Sequence, residues 1–375
     1  MVRVLHIFGA MNVGGAEVLV MNLYRHIDRT KVSFDFAVQT HQEGYFDKEI
    51  SSLGGNVWRH SKPRDVGSKA YLKELRNTLL TKGPFDVVHS HVYYSSGAIL
   101  ALAKLCGVPM RIAHSHSIED GVHNSPAREL YRRVSRLLIL RTATHLFACS
   151  SLAGQSLYGR GFLKDPRSHI IHNSIDLSPF ESEGQFSNIR EQLCIPQDAL
   201  VLGHVGRFVE QKNHAFLIEI VRRLRTSGVN VHAILAGDGP LRSRVEQQSA
   251  QAAVRDRLHF LGMRSDVYDV LNAIDVFVFP SLYEGLGIAV VEAQASGKPC
   301  VVSTGVPEEV DMGLGLVRRL PLDSPSAWIE AVIRMANVPR IPANRRVEAL
   351  RVRGYDVRRN AKKIQEVYLT RVHKG

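Results

Sequence analysis

Short apolar runs alternate with stretches whose apolar residues recur every three or four positions, and this pattern is laid down twice along the chain. In the first half, Val4–Phe8, Ser33–Val38, Phe85–His89, Met110–Ala113, Thr144–Cys149 and His169–Ile171 have the length and branching of buried strands. Ala16–His26, Tyr71–Leu80 and Ala98–Leu105 between them have helical spacing. The pattern restarts with a strand at Ala199–His204 and a helix at His214–Arg225, followed by strands at Val231–Ala236, Leu258–Leu261 and Val276–Pro280. Such alternation predicts parallel sheets with helices on both faces. The weakly patterned, polar stretch 176–198 separates the halves as a linker would. The expected architecture is α/β: two doubly wound, Rossmann-like domains, 1–178 and 179–355, facing across a cleft. The basic amphipathic segment 356–375 is expected to return to the first domain.

The most informative segment is 280–297. Pro280 stops a buried strand, and a helix-like run follows Gly287 and ends at Gly297 and Pro299. Gly285, Leu286 and Gly287 therefore lie where a helix begins, and free amides at such a turn seat phosphate. Glu284 and Glu292 flank the turn and could hold sugar hydroxyls, which suggests a nucleotide-sugar site. Arg207 and Lys212 lie in the first loop of the second half, where a planar fork and a point charge could neutralise a diphosphate; solvated surface cations are the plainer account. Gly14-Gly15-Ala16-Glu17 opens the first helix as an anion-approach turn or simply a tight one, and lacks the dinucleotide fingerprint. Gly237-Asp238-Gly239-Pro240 reads as a structural turn, because Pro240 and Arg242 break the cofactor pattern.

His89-Ser90-His91 and His114-Ser115-His116 each put two imidazoles on one face of a strand end. They could ligate a metal, as in hydrolases, but no nearby Asp or Glu cluster completes a set, so a polar cleft wall is preferred. No two aspartates lie two apart, so a bound diphosphate would rely on cations and helix ends; no metal ligands and no cofactor are assigned.

A net charge of +12 is compatible with nucleic acid, an anionic membrane or anionic substrates. The chain has no RNA-recognition signature and no zinc-finger spacing, which argues against nucleic acid. The helix expected over 127–141 places Arg128, Arg132 and Arg136 in one stripe beside Arg133, suited either to an anionic membrane or to a solvated face. The four cysteines are scattered, and no apolar run reaches the about 18 residues of a membrane span. The expectation is a cytoplasmic protein with an optional peripheral contact on the inner face of the cell membrane.

Taken in series, these motifs resemble glycosyltransferase family 4, the retaining GT-B enzymes, and most of all those of bacterial exopolysaccharide and capsule assembly. The resemblance runs from Gly14-Gly15-Ala16-Glu17 through His114-Ser115-His116, Asn173-Ser174-Ile175-Asp176, Gly206-Arg207 with Lys212, Gly237-Asp238-Gly239-Pro240 and Leu261-Gly262 to the Glu284–Glu292 pair. It implies a GT-B fold with an acceptor domain first and a donor domain second. Arg207 and Lys212 would grip the donor diphosphate, Glu284 would meet the transferred sugar, and Glu292 the ribose. Gly15, Gly285, Leu286 and Gly287 would line phosphate and sugar, and the turn at Met263 would border the base. His116 matches the family's cleft histidine, with His114 close enough to be confused with it. The implied substrates are a UDP-sugar and a glycan or polyprenyl-diphosphate-linked oligosaccharide. Ser174 replaces a common Gly, and the pattern after Glu308 is irregular, which leaves that residue without a role. A nucleotide-sugar epimerase and a metal hydrolase built on the His-x-His pairs are the alternatives.

Overall fold

The structure, a computed structural model, describes residues 1–117, 125–181, 188–264 and 266–370. The chain divides into two units, 1–176 with 354–375, and 177–353. The first unit holds β1 (Val2–Phe8), β2 (Val32–Val38), β3 (Val57–Arg59), β4 (Val87–Ser90), β5 (Met110–Ser115), β6 (His145–Ala148) and β7 (Ser168–Ile170). These form one parallel sheet in the order β3-β2-β1-β4-β5-β6-β7. The second holds β8 (Leu200–Val205), β9 (Val231–Ala236), β10 (Leu258–Gly262), β11 (Val276–Phe279), β12 (Cys300–Ser303) and β13 (Val317–Leu320), ordered β10-β9-β8-β11-β12-β13. Both sheets therefore reverse winding direction once, between β1 and β4 and between β8 and β11. Loops at the carboxyl ends of such neighbours diverge and leave a crevice, the usual ligand position in doubly wound sheets.

The strand cores follow from composition. Val276, Phe277, Val278 and Phe279 are all fully buried, as are all six residues of β9 apart from traces of surface on the ends and on His232. A strand covered on both faces needs a continuous apolar run rather than alternation. Three strands escape the pattern. β3 is only three residues and partly exposed, β12 follows the breakers Gly297 and Pro299, and β13 carries Arg318 and Arg319 at a sheet edge.

The helix Val357–Leu369 belongs to the first unit although it follows the second in the chain. Val357, Ala361, Ile364 and Tyr368 recur at helical spacing and are buried in the core formed by Val4, Tyr24, Phe34 and Phe36. Each large side chain so buried contributes roughly 1.5–3 kcal/mol. The Tyr368 ring meets Phe34 edge-on at 6.1 Å. Backbone bonds from Ile175 to Tyr355 (3.0 Å) and from Val357 to Ile175 (3.1 Å) anchor the return. No helix among the described residues is long and apolar enough to cross a membrane.

Candidate active site

In the second unit, the loops after β8 and β11 carry most of the residues singled out from sequence. The first loop bears Arg207, Gln211 and Lys212, and the second runs from Pro280 to Gly287. The loops are stitched together: the Leu282 amide donates to the Gln211 carbonyl at 2.8 Å, and the Gln211 side-chain amide donates to the Tyr283 carbonyl at 2.8 Å. Lys212 Nζ donates to Glu284 Oε1 at 2.5 Å, and Gln211 Nε2 donates to Glu284 Oε2 at 3.3 Å. The pair is nearly dry, with side chains 15 % and 7 % exposed. The ammonium also sits 4.7 Å from the centre of the Phe279 ring, a cation–π contact on its apolar side. Next to it, His204 and His214 are buried, and burial with the nearby Lys212 charge keeps them neutral, at about 4 and about 2. Gly287 is left-handed (φ +90°) and caps the helix Ile288–Ala295; the Val290 amide turns back to the Gly287 carbonyl at 2.9 Å, and the first amides, of Ile288 and Ala289, have no acceptor within the helix. Leu286 is buried beneath this turn.

Arg207 is on the same loop as Lys212 but is exposed, and its guanidinium takes no hydrogen-bond partner among the described residues. The loop carrying it is propped from behind by the Gly237–Pro240 turn. The Phe208 amide donates to the Asp238 carbonyl at 3.0 Å, and a Cβ on Gly237 (φ +137°) would lie 2.0 Å from the Gly206 carbonyl oxygen. That turn is a structural support, as its sequence suggests. Glu292 follows one turn into the helix. Burial pushes its carboxyl up to about 7, and no described side chain is hydrogen-bonded to it. Met263 is half-exposed just beyond β10. Glu308 is turned to solvent and accepts from Arg319 at 2.6 Å.

In the first unit, Gly15 begins the helix Gly15–His26, and its carbonyl accepts from Asn173 Nδ2 at 3.3 Å. His91 and His116 lie just past β4 and β5 and line a cavity of about 260 Å³ with Tyr93, Tyr94, Ser95 and Arg128. His114 is fully buried behind them and bonded to His89. Of the two histidines that sequence leaves ambiguous, His116 is the one that borders the cavity.

The helix Pro126–Thr142 is capped by Ser125, whose hydroxyl accepts from the Arg128 amide. Its exposed side carries Leu130, Val134 and Leu137 at helical spacing, with Arg133 exposed near them. Arg128 stacks on Tyr131 at 4.7 Å. Arg132 is half-buried. Arg136 turns inward and donates to the carbonyls of Ser156 and Leu157, both at 2.9 Å, so it is committed to the fold.

Sequence reasoning passed over Gln211, His204 and His214 around Lys212, and His6 beside the His-x-His pairs. Gln211 is adjacent to Lys212, but its task depends on a loop 72 residues away. His6 could have been found from β1 alone, where Val4, His6 and Phe8 share one face.

Residues 14–174 match the glycosyl transferase 4-like domain family, and residues 199–337 match the glycosyl transferases group 1 family. Among curated proteins, the chain is 40 % identical over 368 residues to EpsF of Bacillus subtilis (strain 168), itself a supposed glycosyltransferase, covering 98 % of this chain and 96 % of that one. It is 23 % identical over 384 residues to the capsular polysaccharide biosynthesis glycosyltransferase CapH of Staphylococcus aureus, covering 99 % of each. It is 26 % identical over 309 residues to an Escherichia coli UDP-Gal:α-D-GlcNAc-diphosphoundecaprenol α-1,3-galactosyltransferase, covering 78 % of each. Among solved structures, Anabaena Alr3699/HepE in complex with UDP and glucose superposes with a TM-score of 0.78 at 20 % identity, covering 99 % of this chain and 100 % of that one. These relatives do not favour an epimerase or a metal hydrolase.

Proposed function

The chain belongs to the GT-B glycosyltransferases, in the group 1 and family 4-like line, and from this premise we propose a retaining, metal-independent sugar transfer from a UDP-sugar to a glycan or polyprenyl-diphosphate-linked acceptor in exopolysaccharide or capsule assembly. The observation that carries this proposal is the dry Lys212–Glu284 pair beside the Gly287 helix start, at the winding reversal of the second sheet. The UDP complex of HepE and the lipid-linked acceptor in the name of the E. coli relative support the choice of donor and acceptor.

The chemistry follows from where charge develops. As the bond between the sugar's anomeric carbon and the phosphate oxygen lengthens, positive charge grows on the sugar ring and negative charge on the departing diphosphate. Lys212, Arg207 and the first amides of the helix Ile288–Ala295 meet the negative charge. Removing one such preorganised donor costs roughly 3 kcal/mol in other enzymes. Glu284 fixes the sugar hydroxyls while its negative charge faces the ring. The acceptor hydroxyl enters from the face the phosphate leaves, and the leaving phosphate oxygen takes its proton, so configuration is kept without a covalent enzyme intermediate. Glu292 receives the ribose hydroxyls, and Met263 borders the base. In the first unit, His116 borders the cavity and is assigned to the acceptor.

The exposed Leu130, Val134 and Leu137 beside Arg128, Arg132 and Arg133 suit the membrane surface where a lipid-linked acceptor resides; Arg136 takes no part. The direct test incubates the protein with UDP-sugars and a polyprenyl-diphosphate-linked saccharide, with and without chelator. Release of UDP that requires the acceptor, persists in chelator and gives a product of unchanged anomeric configuration is expected. Inverted product or chelator-abolished transfer would overturn the mechanism.

A further inference from the structure

Behind the carboxyl ends of β1, β4 and β5, five imidazoles and one phenol form two hydrogen-bonded rows. In one row, His6 Nδ1 meets His91 Nε2 at 3.0 Å, and His91 Nδ1 meets His116 Nε2 at 2.8 Å. In the other, His114 Nδ1 meets His89 Nε2 at 3.2 Å, and His89 Nδ1 meets the Tyr368 hydroxyl at 2.8 Å. Among the described residues, His114 Nε2 and His116 Nδ1 are buried with no hydrogen-bond partner. One nitrogen from each of His91, His114 and His116 lies within 4.8 Å of those of the other two.

We propose that His91, His114 and His116 bind one divalent transition-metal ion of borderline softness, such as zinc or cobalt, with water from the adjoining cavity completing the shell. This site shares His116 with the transfer reading above but does not rest on it, and the transfer chemistry itself calls for no metal. The two His-x-His pairs look incomplete in sequence because no carboxylate accompanies them; the parallel sheet supplies a third imidazole from the neighbouring strand instead.

Two features carry the proposal. The donors are imidazoles, which suit zinc, cobalt or nickel and not magnesium or calcium. The outer partners permit the required tautomers without adding or removing a proton. If His91 donates from Nε2 to His6, and His114 donates from Nδ1 to His89 with His89 donating on to Tyr368, then His91 Nδ1 and His114 Nε2 are both lone pairs. His116 then carries its proton on Nδ1, leaving Nε2 as the third donor, and the ion takes the place of the hydrogen bond between His91 Nδ1 and His116 Nε2. Metal-binding histidines are characteristically oriented by such second partners. Tetrahedral zinc at about 2.0–2.1 Å separates its ligand atoms by about 3.4 Å, between the 2.8 Å of the closest pair and the 4.8 Å limit of the set. His6, His89 and His91 form a second close group, but it shares His91 and meets the cavity through that residue alone, whereas the first group meets it through both His91 and His116. An entering ion reaches the outer group first.

The test uses the whole chain, stripped with chelator and dialysed against zinc, with bound metal measured by elemental analysis and cobalt substitution followed by visible absorption. A single ion per chain is expected, insensitive to excess magnesium, with tetrahedral cobalt bands. His114→Gln and His116→Gln, close in shape and checked for folding by circular dichroism, should each weaken binding by a hundredfold or so, and His6→Gln by about ten- to a hundredfold through orientation alone. His41→Ala, at an exposed position, should change nothing. Failure of the folded wild type to bind zinc, or unchanged affinity in the His114→Gln/His116→Gln double variant, would overturn the proposal.

Discussion

Glu292→Gln is expected to make the free protein more stable and the nucleotide complex weaker. Burial raises the Glu292 carboxyl from 4.5 to about 7. At about 1.4 kcal/mol per pH decade, this corresponds to about 3 kcal/mol, which partial exposure trims to about 2 kcal/mol. The sign follows from proton counting. Below pH 4.5 both folded and unfolded chains hold the proton, and the residue costs nothing. Between pH 4.5 and about 7 the unfolded chain ionises while the folded one keeps its proton, so stability falls. Above pH 7 the full cost persists. Glutamine cannot ionise, so the variant's advantage should be near zero at pH 4.5, grow with pH and level off above 7. Ribose hydroxyls donating to the carboxylate would favour its ionised form, so UDP binding at pH 6 should expel a proton, and at pH 8.5 it should not. Losing hydrogen bonds to a charged acceptor costs roughly 1.5–3 kcal/mol, or about ten- to a hundredfold in UDP affinity. Urea unfolding from pH 4.5 to 8.5 and calorimetry in buffers of different ionisation heat read both effects. A pH-independent stability difference, or equal proton release from wild type and variant, would refute the assignment.

Lys212→Ala should lower turnover about a hundredfold in protein that remains folded by circular dichroism; near-normal transfer would remove Lys212 from the leaving-group clamp. Gly237→Ala should destabilise the second unit severely, because the new Cβ meets the Gly206 carbonyl and the backbone there is strained for any other residue; chemical denaturation measures the loss. Acid should weaken the second unit as pH falls below 6.5, because its unfolded chain takes up protons that buried His204 and His214 refuse. At pH 5 this amounts to about 2 kcal/mol per histidine, and His214→Phe should remove one share in unfolding titrations. Deleting residues 356–370 should expose the apolar face around Tyr24 and Phe34, detected by increased dye binding, while a folded second unit still melts cooperatively.

Much of the second-unit site was legible because its residues are local. The sequence 280–297 shows a buried strand, a breaker, a glycine turn and a helix within one window, so Glu284 and Glu292 can be placed by reading along the chain. The partners that make Glu284 chemically distinct could not be read so. Gln211 reaches it only because β8 and β11 are neighbours, and strand order is not written in local periodicity. The histidine rows were half legible for the same reason. Each His-x-His pair declares its own face, yet joining His6 to His91 needs the β1–β4 pairing, and Tyr368 reaches His89 across 279 residues. β3, β12 and β13 were missed on physical grounds: the first is too short, the second follows two breakers, and the third carries charges that an edge tolerates.

The return of Val357–Leu369 to the first sheet fixes an order of events during synthesis. The unit that leaves the ribosome first is the one that waits for its last piece, because Leu177–Arg353 must be made before that helix exists. At roughly 5–20 residues per second, the interval is about 10–35 s. Throughout it, Phe34 and its neighbours lack the cover of Ala361, Ile364 and Tyr368, while the later unit can already close on itself. The nascent chain therefore completes its second unit first, and the half that emerged earlier is the one a holding chaperone would meet.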